Sequence, residues 1–427
     1  MHPRIKILLF ALLLLCGRVG AQNSEPSGYS LEQLRAAAKQ NFPEFKQKAL
    51  QQQGYELEIE KLRTLLYPKL NFGLQATWQS AVTSIPNLIP GMDIKSQPRD
   101  QYKAYVDVNQ VVYDGGLMNK QLALKDAQQQ VEQQKIETSL QKVQEQVDFL
   151  YFSGLLLQAQ TEQLKLVRST IENKLKQVRG AISNGVALES NAWLLEAELV
   201  KNEQQQTEVM AQRQSVARML AEWTGLPVDP QTAMESPKEK DLPLKPTISR
   251  QELRLFALQN RAVDLGIAAV DAKYRPRVFA FSQMGYGRPG LNMLDTQFRP
   301  WLVAGVRLSW DIYDWGAGKI EKESLHLQKE LVKIQEQAFK RQTDLGLIQV
   351  DEDLQKLKKL LQQDDDMIRL RGKIKEISSA QLDNGVITAT EYLDRVNEET
   401  AAVLAKRLHE IQVLMTQAKY GYITGNN

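Results

Sequence analysis

The side chains able to do chemistry are few and scattered. His2, His326 and His409 are the only histidines, too far apart in sequence to suggest a zinc or iron site. Cys16 is the single cysteine, which excludes a disulfide framework and a thiolate metal site. No Ser-His-Asp, Cys-His or paired-carboxylate arrangement points to turnover, since His326 and His409 both fall within long helical stretches. Asp364-Asp365-Asp366 could attract a cation, but with Met367 beside it and no clustered ligands it reads as a solvated helix face. Gly285-Tyr286-Gly287 closes a strand pattern and no helix follows it, so it is not a phosphate loop. That leaves Glu391 and Asp394, three apart on one helix face just after the Asn384-Gly385-Val386 turn. Acids in a first helical turn are favoured by the helix dipole whatever else they do. Neither catalysis, a cofactor nor a metal is expected.

The elements around these residues say more. The chain has 427 residues, 43% hydrophobic and 25% charged, with 54 Lys+Arg against 51 Asp+Glu. Arg4, Lys6 and Arg18 lie in the first 21 residues, which hold no acid, so the remainder is balanced and offers no net field for nucleic acid. Residues 1–21 have the order of an export signal: a basic start, an apolar run from Ile7 to Leu15, then Gly17-Arg18-Val19-Gly20-Ala21. That run is too short for the roughly 20 residues of a spanning helix. Cleavage after Ala21 is the favoured reading; lipid attachment at Cys16 is the alternative. Nowhere later do 18 apolar residues occur in a row, so a membrane-embedded mature chain has to be a β-barrel.

The mature chain is written twice. Val112-Tyr113-Asp114-Gly115-Gly116 recurs as Ile312-Tyr313-Asp314-Trp315-Gly316. Asn184-Gly185-Val186 recurs as Asn384-Gly385-Val386, and Thr224-Gly225 as Thr424-Gly425, each at the same offset. The expected organisation is a first repeat over 22–225, a Pro-rich linker over 226–249 and a second repeat over 250–427. Prolines 227, 230, 237, 243 and 246 forbid a continuous helix in the linker.

Each repeat predicts a helix, a strand pair and a long helical hairpin. Residues 31–66 and 250–274 are helical in composition and run up to Pro68 and Pro276. The first strand pair is expected within 68–113: Leu70, Phe72, Leu74, Ala76 and Trp78 alternate with polar residues, as do Tyr102, Ala104, Val106 and Val108. The second lies within 276–313, with Leu302, Ala304, Val306, Leu308, Trp310 and Ile312 on one face. Its partner, Val278 to Tyr286, is less regular because Phe279 and Phe281 fall on the polar side. The helical hairpins are expected over 115–223 and 316–420. From Ile136 to Ile182 a sustained apolar seam alternates in fours and threes, the spacing of a coiled coil. The proline-free stretch from Gly116 to Asn184 would make a rod of roughly 100 Å, and Asn184-Gly185 supplies a reversal.

Amphipathic strands of about ten residues match an outer-membrane barrel with apolar side chains towards lipid. Four of them cannot close, since small barrels need about eight and an open edge in lipid costs several kcal/mol per unpaired group. Copies must therefore combine. The exported start, the twofold repeat, the Tyr-Asp-x-Gly patterns and the Asn-Gly-Val tips resemble the TolC-type outer-membrane efflux family. The fold this implies is mainly α with a membrane β-barrel. A homotrimer would form a twelve-stranded barrel from four strands per chain, continuous with an α-helical barrel of coiled-coil hairpins in the periplasm. The implied function is the exit duct of a tripartite efflux pump or one-step secretion system, opened by an inner-membrane transporter and a periplasmic adaptor. On the same resemblance, Asn184, Gly185, Val186, Asn384, Gly385 and Val386 would be tips for adaptor docking, and Glu391 and Asp394 would narrow the periplasmic mouth. Glu391 departs from the family's usual Asp. The competing reading is a soluble periplasmic coiled-coil adaptor or scaffold, which would have no use for the four amphipathic strands.

Overall fold

The computed structural model describes residues 28–83, 96–239, 243 and 246–426. The export signal with Cys16, part of the first strand-connecting loop and part of the linker lie outside the described residues. The elements run β1 (Gly28–Tyr29), α1 (Leu31–Asn41), α2 (Pro43–Thr64), β2 (Lys69–Trp78), β3 (Asp100–Tyr113), α3 (Leu117–Ser183), α4 (Glu189–Thr224) and β4 (Ala233–Met234), followed by α5 (Gln251–Lys273), β5 (Arg277–Arg288), β6 (Arg299–Ser309), α6 (Ala317–Asp383) and α7 (Ala389–Thr424). α3 and α6 each have 67 residues and α4 and α7 each have 36, and the members of each pair start at the offset of the repeated motifs. Among the described residues no helix is long and apolar enough to cross a membrane.

Two compact units emerge. One comprises residues up to 41, 143–244 and 350–420; the other comprises 42–142, 245–349 and 421 onward.

In the first unit, the outer parts of the two helical hairpins pack through their seams. Val167, Ile171, Leu175 and Val178 of α3 close on Ala192 and Leu195 of α4 and on Leu393 of α7. The linker is not featureless here: β4 pairs in parallel with β1, Gly28 beside Ala233. The fully buried Tyr151 of α3 donates its hydroxyl to the Tyr29 carbonyl at 3.1 Å and also reaches the Glu235 carbonyl. Met234 sits against Gly154, where an added side chain would lie 2.4 Å from its sulfur.

The second unit carries an antiparallel sheet in the order β2-β3-β5-β6. Its register puts Leu70, Phe72, Leu74 and Trp78 on one face with Val106 and Val108 of β3, Met284 of β5 and Leu302, Val306 and Leu308 of β6. Most of these side chains are exposed, Leu74 and Val306 to more than 70%. The irregular pattern of β5 has a steric explanation on the other face. Phe281 lies beside Gly305, where an added side chain would come within 3.0 Å of the ring. Tyr105 likewise covers Gly73 and Trp301 covers Gly285, so aromatic rings on the polar side lie across glycine gaps in neighbouring strands.

Two expected boundaries are corrected. The helix expected over 31–66 is two helices, because Pro43 opens α2 and holds Phe42 in an extended conformation. β6 ends at Ser309, so Trp310 and Ile312 are not strand residues, whereas its counterpart β3 runs to Tyr113. Trp315 then takes a left-handed conformation with φ 57° at the position held by Gly115 in the first repeat.

Candidate functional site

The Tyr-Asp-x-Gly patterns resolve into helix caps. Asp114 accepts from the backbone N–H of Gly116 at 2.8 Å and of Met118 at 2.5 Å; Asp314 accepts from Gly316 at 2.9 Å and Gly318 at 2.6 Å. Each carboxylate satisfies donors that α3 or α6 would otherwise leave unpaired. These donations hold the Asp314 carboxyl below its ordinary pKa. The motif is therefore a strand-to-helix joint.

The hairpin tips are built alike. After α3, Gly185 adopts φ 73° and donates to the Ile182 carbonyl at 2.9 Å, while Val186 reaches back to Ala181 at 3.0 Å. After α6, Gly385 (φ 69°) donates to Leu382 at 3.0 Å and Val386 to Gln381 at 2.9 Å. This paired 5→2 and 6→1 closure needs a left-handed residue, which glycine supplies without strain. Val186 and Val386 project at 75% and 69% exposure, and Asn184 and Asn384 are exposed beside them. Apolar side chains held outward on a rigid turn are available to a partner.

The two returning helices start differently. α4 begins after Leu188 with no side-chain cap. α7 begins with a capping box: the Glu391 backbone N–H donates to Thr388 Oγ1 at 3.3 Å, and the Thr388 backbone N–H donates to Glu391 Oε2 at 2.8 Å. The donations from the Thr388 backbone and hydroxyl hold the Glu391 carboxyl below its ordinary pKa. Glu391 is thus engaged in closing the helix, while Asp394, one turn further on, is exposed. Their first-repeat counterparts are Asn191 and Leu194, so the acid pair belongs to the second hairpin alone.

Sequence periodicity gave no sign of Lys174, which is only 3% exposed. It lies on α3 and spends its three donor positions on α6, on Asp383 Oδ1 at 2.8 Å, Ser379 Oγ at 2.9 Å and the Ser379 carbonyl at 3.0 Å. The Tyr392 ring of α7 lies 5.1 Å beneath it, and burial pushes the Tyr392 phenol up in pKa. A buried ammonium so enclosed ties the first hairpin to the second close to the tip. Within the second hairpin, Arg371 pairs with Glu398 and Lys375 with Glu399. Asp364-Asp365-Asp366 is a solvated face in part: Asp365, 2.5 Å from Lys406 of α7, and Asp366 are exposed, whereas Asp364 is largely covered and lies 2.6 Å from His409 of α7.

Among the described residues no group of His, Cys, Asp and Glu could hold a metal ion. In the second unit a cavity of 320 Å³ is lined by amides and long charged side chains, among them Gln130, Gln133, Gln134 and Gln251. Lys48 and Glu137 pair across it at 3.0 Å, and no nucleophile faces it.

Residues 34–223 match the family described as outer membrane efflux protein, and the resemblance drawn from the sequence holds. No curated protein matches the chain by sequence. Among solved structures, the chain resembles the outer membrane protein VceC of Vibrio cholerae at TM-score 0.69 and 12% identity, covering 92% of this chain and 96% of that one. It resembles the CmeC outer membrane channel of Campylobacter jejuni at TM-score 0.65 and 12% identity, covering 93% and 85%. The open state of the MtrE outer membrane channel of Neisseria gonorrhoeae is similar at TM-score 0.65 and 14% identity, covering 92% and 88%. At these identities the likeness establishes the fold alone. The matched family is described by efflux, not by an enzymatic activity.

Proposed function

We propose that this chain is one third of a trimeric exit duct for efflux or one-step secretion in a Gram-negative-type outer membrane. In this reading 22–225 and 250–427 are structural repeats joined by the linker 226–249, and the matching lengths of α3 with α6 and of α4 with α7 support that division. The observation that carries the proposal is the sheet. Among the described residues β2 and β6 each pair on one side only, and the apolar face they share is exposed. Such a sheet is unstable in water and, left open, equally unstable in lipid. Joining β6 of one copy to β2 of the next satisfies the free backbone groups, and three copies give twelve strands around a wetted lumen.

The helices support the same stoichiometry. On α6, Ile320, Leu327, Leu331, Ile334, Leu345 and Ile348 keep one coiled-coil phase and are all more than half exposed. That stripe calls for a neighbouring helix, which a second copy supplies. An α-helical barrel in the periplasm follows, with the Asn184-Gly185-Val186 and Asn384-Gly385-Val386 tips offered to a periplasmic adaptor that links the duct to an inner-membrane transporter. Glu391 and Asp394 narrow the mouth, three copies giving six carboxylates around the axis. Their mutual repulsion would favour bound cations.

The decisive experiment is native mass spectrometry on protein extracted from outer membranes, with single-channel recording in planar bilayers. A trimer with discrete conductance supports the duct; a water-soluble monomer would sink it. For the mouth, Glu391→Ala with Asp394→Ala should weaken block by divalent cations, and unchanged block removes those two residues from the gate.

A further inference from the structure

Resting on the duct reading, in which the polar face of the sheet lines the lumen, a charge asymmetry on that face carries one step more. The register aligns rows across the strands. Gln75, Lys103, Gly287 and Arg299 form one row; Gly73, Tyr105, Gly285 and Trp301 form the next. Then come Asn71, Asp107, Gln283 and Val303, followed by Lys69, Asn109, Phe281 and Gly305. Arg307, opposite Phe279, and Arg277, opposite Ser309, complete the face. Within the strands this face holds Lys69, Lys103, Arg277, Arg299 and Arg307 and one acid, Asp107. The apolar face holds only Asp100 and Arg288, which pair with each other.

Neutralisation is incomplete. Arg299 is met by Asp295 at 2.8 Å and Arg277 by Asp311 at 3.7 Å, each acid lying outside the strands. Lys69, Lys103 and Arg307 form no ion pair among the described residues, and Asp107 is bonded by Gln283. Glycine and aromatic neighbours present the cations instead. Gly287 leaves room for the Lys103 stem, whose Cγ would stand 3.0 Å from any side chain added there. The Arg307 guanidinium sits 5.1 Å over the Phe281 ring, which lies across Gly305. The acids proposed for the periplasmic mouth lie on α7, far along the chain from these strands.

We propose that the barrel lumen is a cationic belt that favours anionic solutes, with Lys69, Lys103 and Arg307 as its unneutralised charges. Three copies place nine such cations around the pathway. Rings of Lys and Arg select anions in other pores by raising their local concentration. The cargo class that fits is small molecules bearing carboxylate, sulfate or phosphate groups.

The test is the reversal potential of full-length trimers in a KCl gradient. Wild type is compared with Lys69→Gln, Lys103→Gln and Arg307→Gln, singly and combined, and with a Lys69→Arg, Lys103→Arg, Arg307→Lys variant. The combined Gln variant should lower the chloride-to-potassium permeability ratio on the order of threefold, and the charge-conserving variant should hold it. If the combined variant does not assemble, the singles decide: a fall in the ratio in the Lys103 or Arg307 variant supports the belt. Conducting variants with the wild-type ratio overturn it. Absence of conductance from wild-type protein would instead count against the duct.

Discussion

α3 and α6 have the same length and the same closing turn, and they treat their apolar residues in opposite ways. Along α3, Ile136, Leu140, Val143, Val147, Leu150, Leu157, Leu164, Ile171, Leu175 and Val178 are all buried within a single chain. Along α6 only Val332, Val350, Leu357 and Leu382 are, while Ile320, Leu327, Leu331, Ile334, Leu345 and Ile348 stay open. The neighbours differ accordingly. α3 receives α2 through Lys48–Glu137 and Lys125–Glu58, α5 through Gln134–Gln251, and the linker at Tyr151. α6 over 317–349 is met mainly by α5, through Lys273–Glu321, Lys322–Asp271 and Lys329–Asp264, with Gly346 beside Ile423 near the end of α7. One helix buries its seam within its own chain, and the other leaves its seam exposed. An apolar stripe that keeps coiled-coil phase over four heptads and stays more than half exposed is an unmade interface.

The largest effect should come from breaking the finished seam. Ile171 is fully buried between Leu195 of α4 and its own helix neighbours. Ile171→Ala should cost about 2–5 kcal/mol from lost burial and the cavity left behind. Thermal unfolding followed by far-UV circular dichroism in detergent measures it. A change indistinguishable from wild type would mean that α3 is not closed by its own chain.

The open seam should respond in assembly and not in fold. Leu327→Ser with Leu331→Ser and Ile334→Ser removes about 1.5–3 kcal/mol of burial per side chain and per interface, but only where an interface exists. The oligomer seen by native mass spectrometry should collapse to monomer while helix content is kept. Loss of helix content in the monomer would show that α6 is covered within the chain after all.

A smaller effect tests where the two helices do meet. Lys174→Met removes the buried ammonium that α3 inserts against Ser379 and Asp383 of α6. Asp383 is half exposed and can return to water, so the loss should be only about 1 kcal/mol. Thermal unfolding of Lys174→Met against wild type, by the same far-UV signal, measures it; a loss as large as that of Ile171→Ala would show that the ammonium, not the seam, closes this end.

Much of this architecture was legible in the residues. The period-two strands fixed which side chains share a face, and Asn-Gly after a proline-free run marked both reversals. What escaped had local or tertiary causes. Pro43 breaks the first helix through one clash, which composition over 31–66 averages away. Trp315 is held left-handed although a bulky residue disfavours it, a conformation that its side chain gave no sign of. Lys174 is off the apolar seam and looks like any solvated lysine until Ser379 and Asp383 close around it. Thr388-x-x-Glu391 has the spacing of a capping box, and the structure forms one.

That capping box gives the smallest and most local prediction, and it separates α7 from α4, which has none. The Glu391 carboxyl is held below its unfolded value of 4.5 by the Thr388 donors, so its charged form is what stabilises the turn. Its contribution is complete above that unfolded value and fades as pH falls through the lowered folded value. Amide hydrogen exchange at Thr388, corrected for the intrinsic pH dependence, should therefore accelerate on acidification only once the pH has passed below the ordinary carboxylate value. The Leu188 amide at the start of the α4 turn should show no such step. Glu391→Gln should abolish the step while leaving the reciprocal Thr388 bond in place. If the step persists in that variant, another group caps α7. If wild type shows no step although its conductance is sensitive to Glu391, the side chain is free to face the lumen, and the gate assignment gains at the expense of the cap.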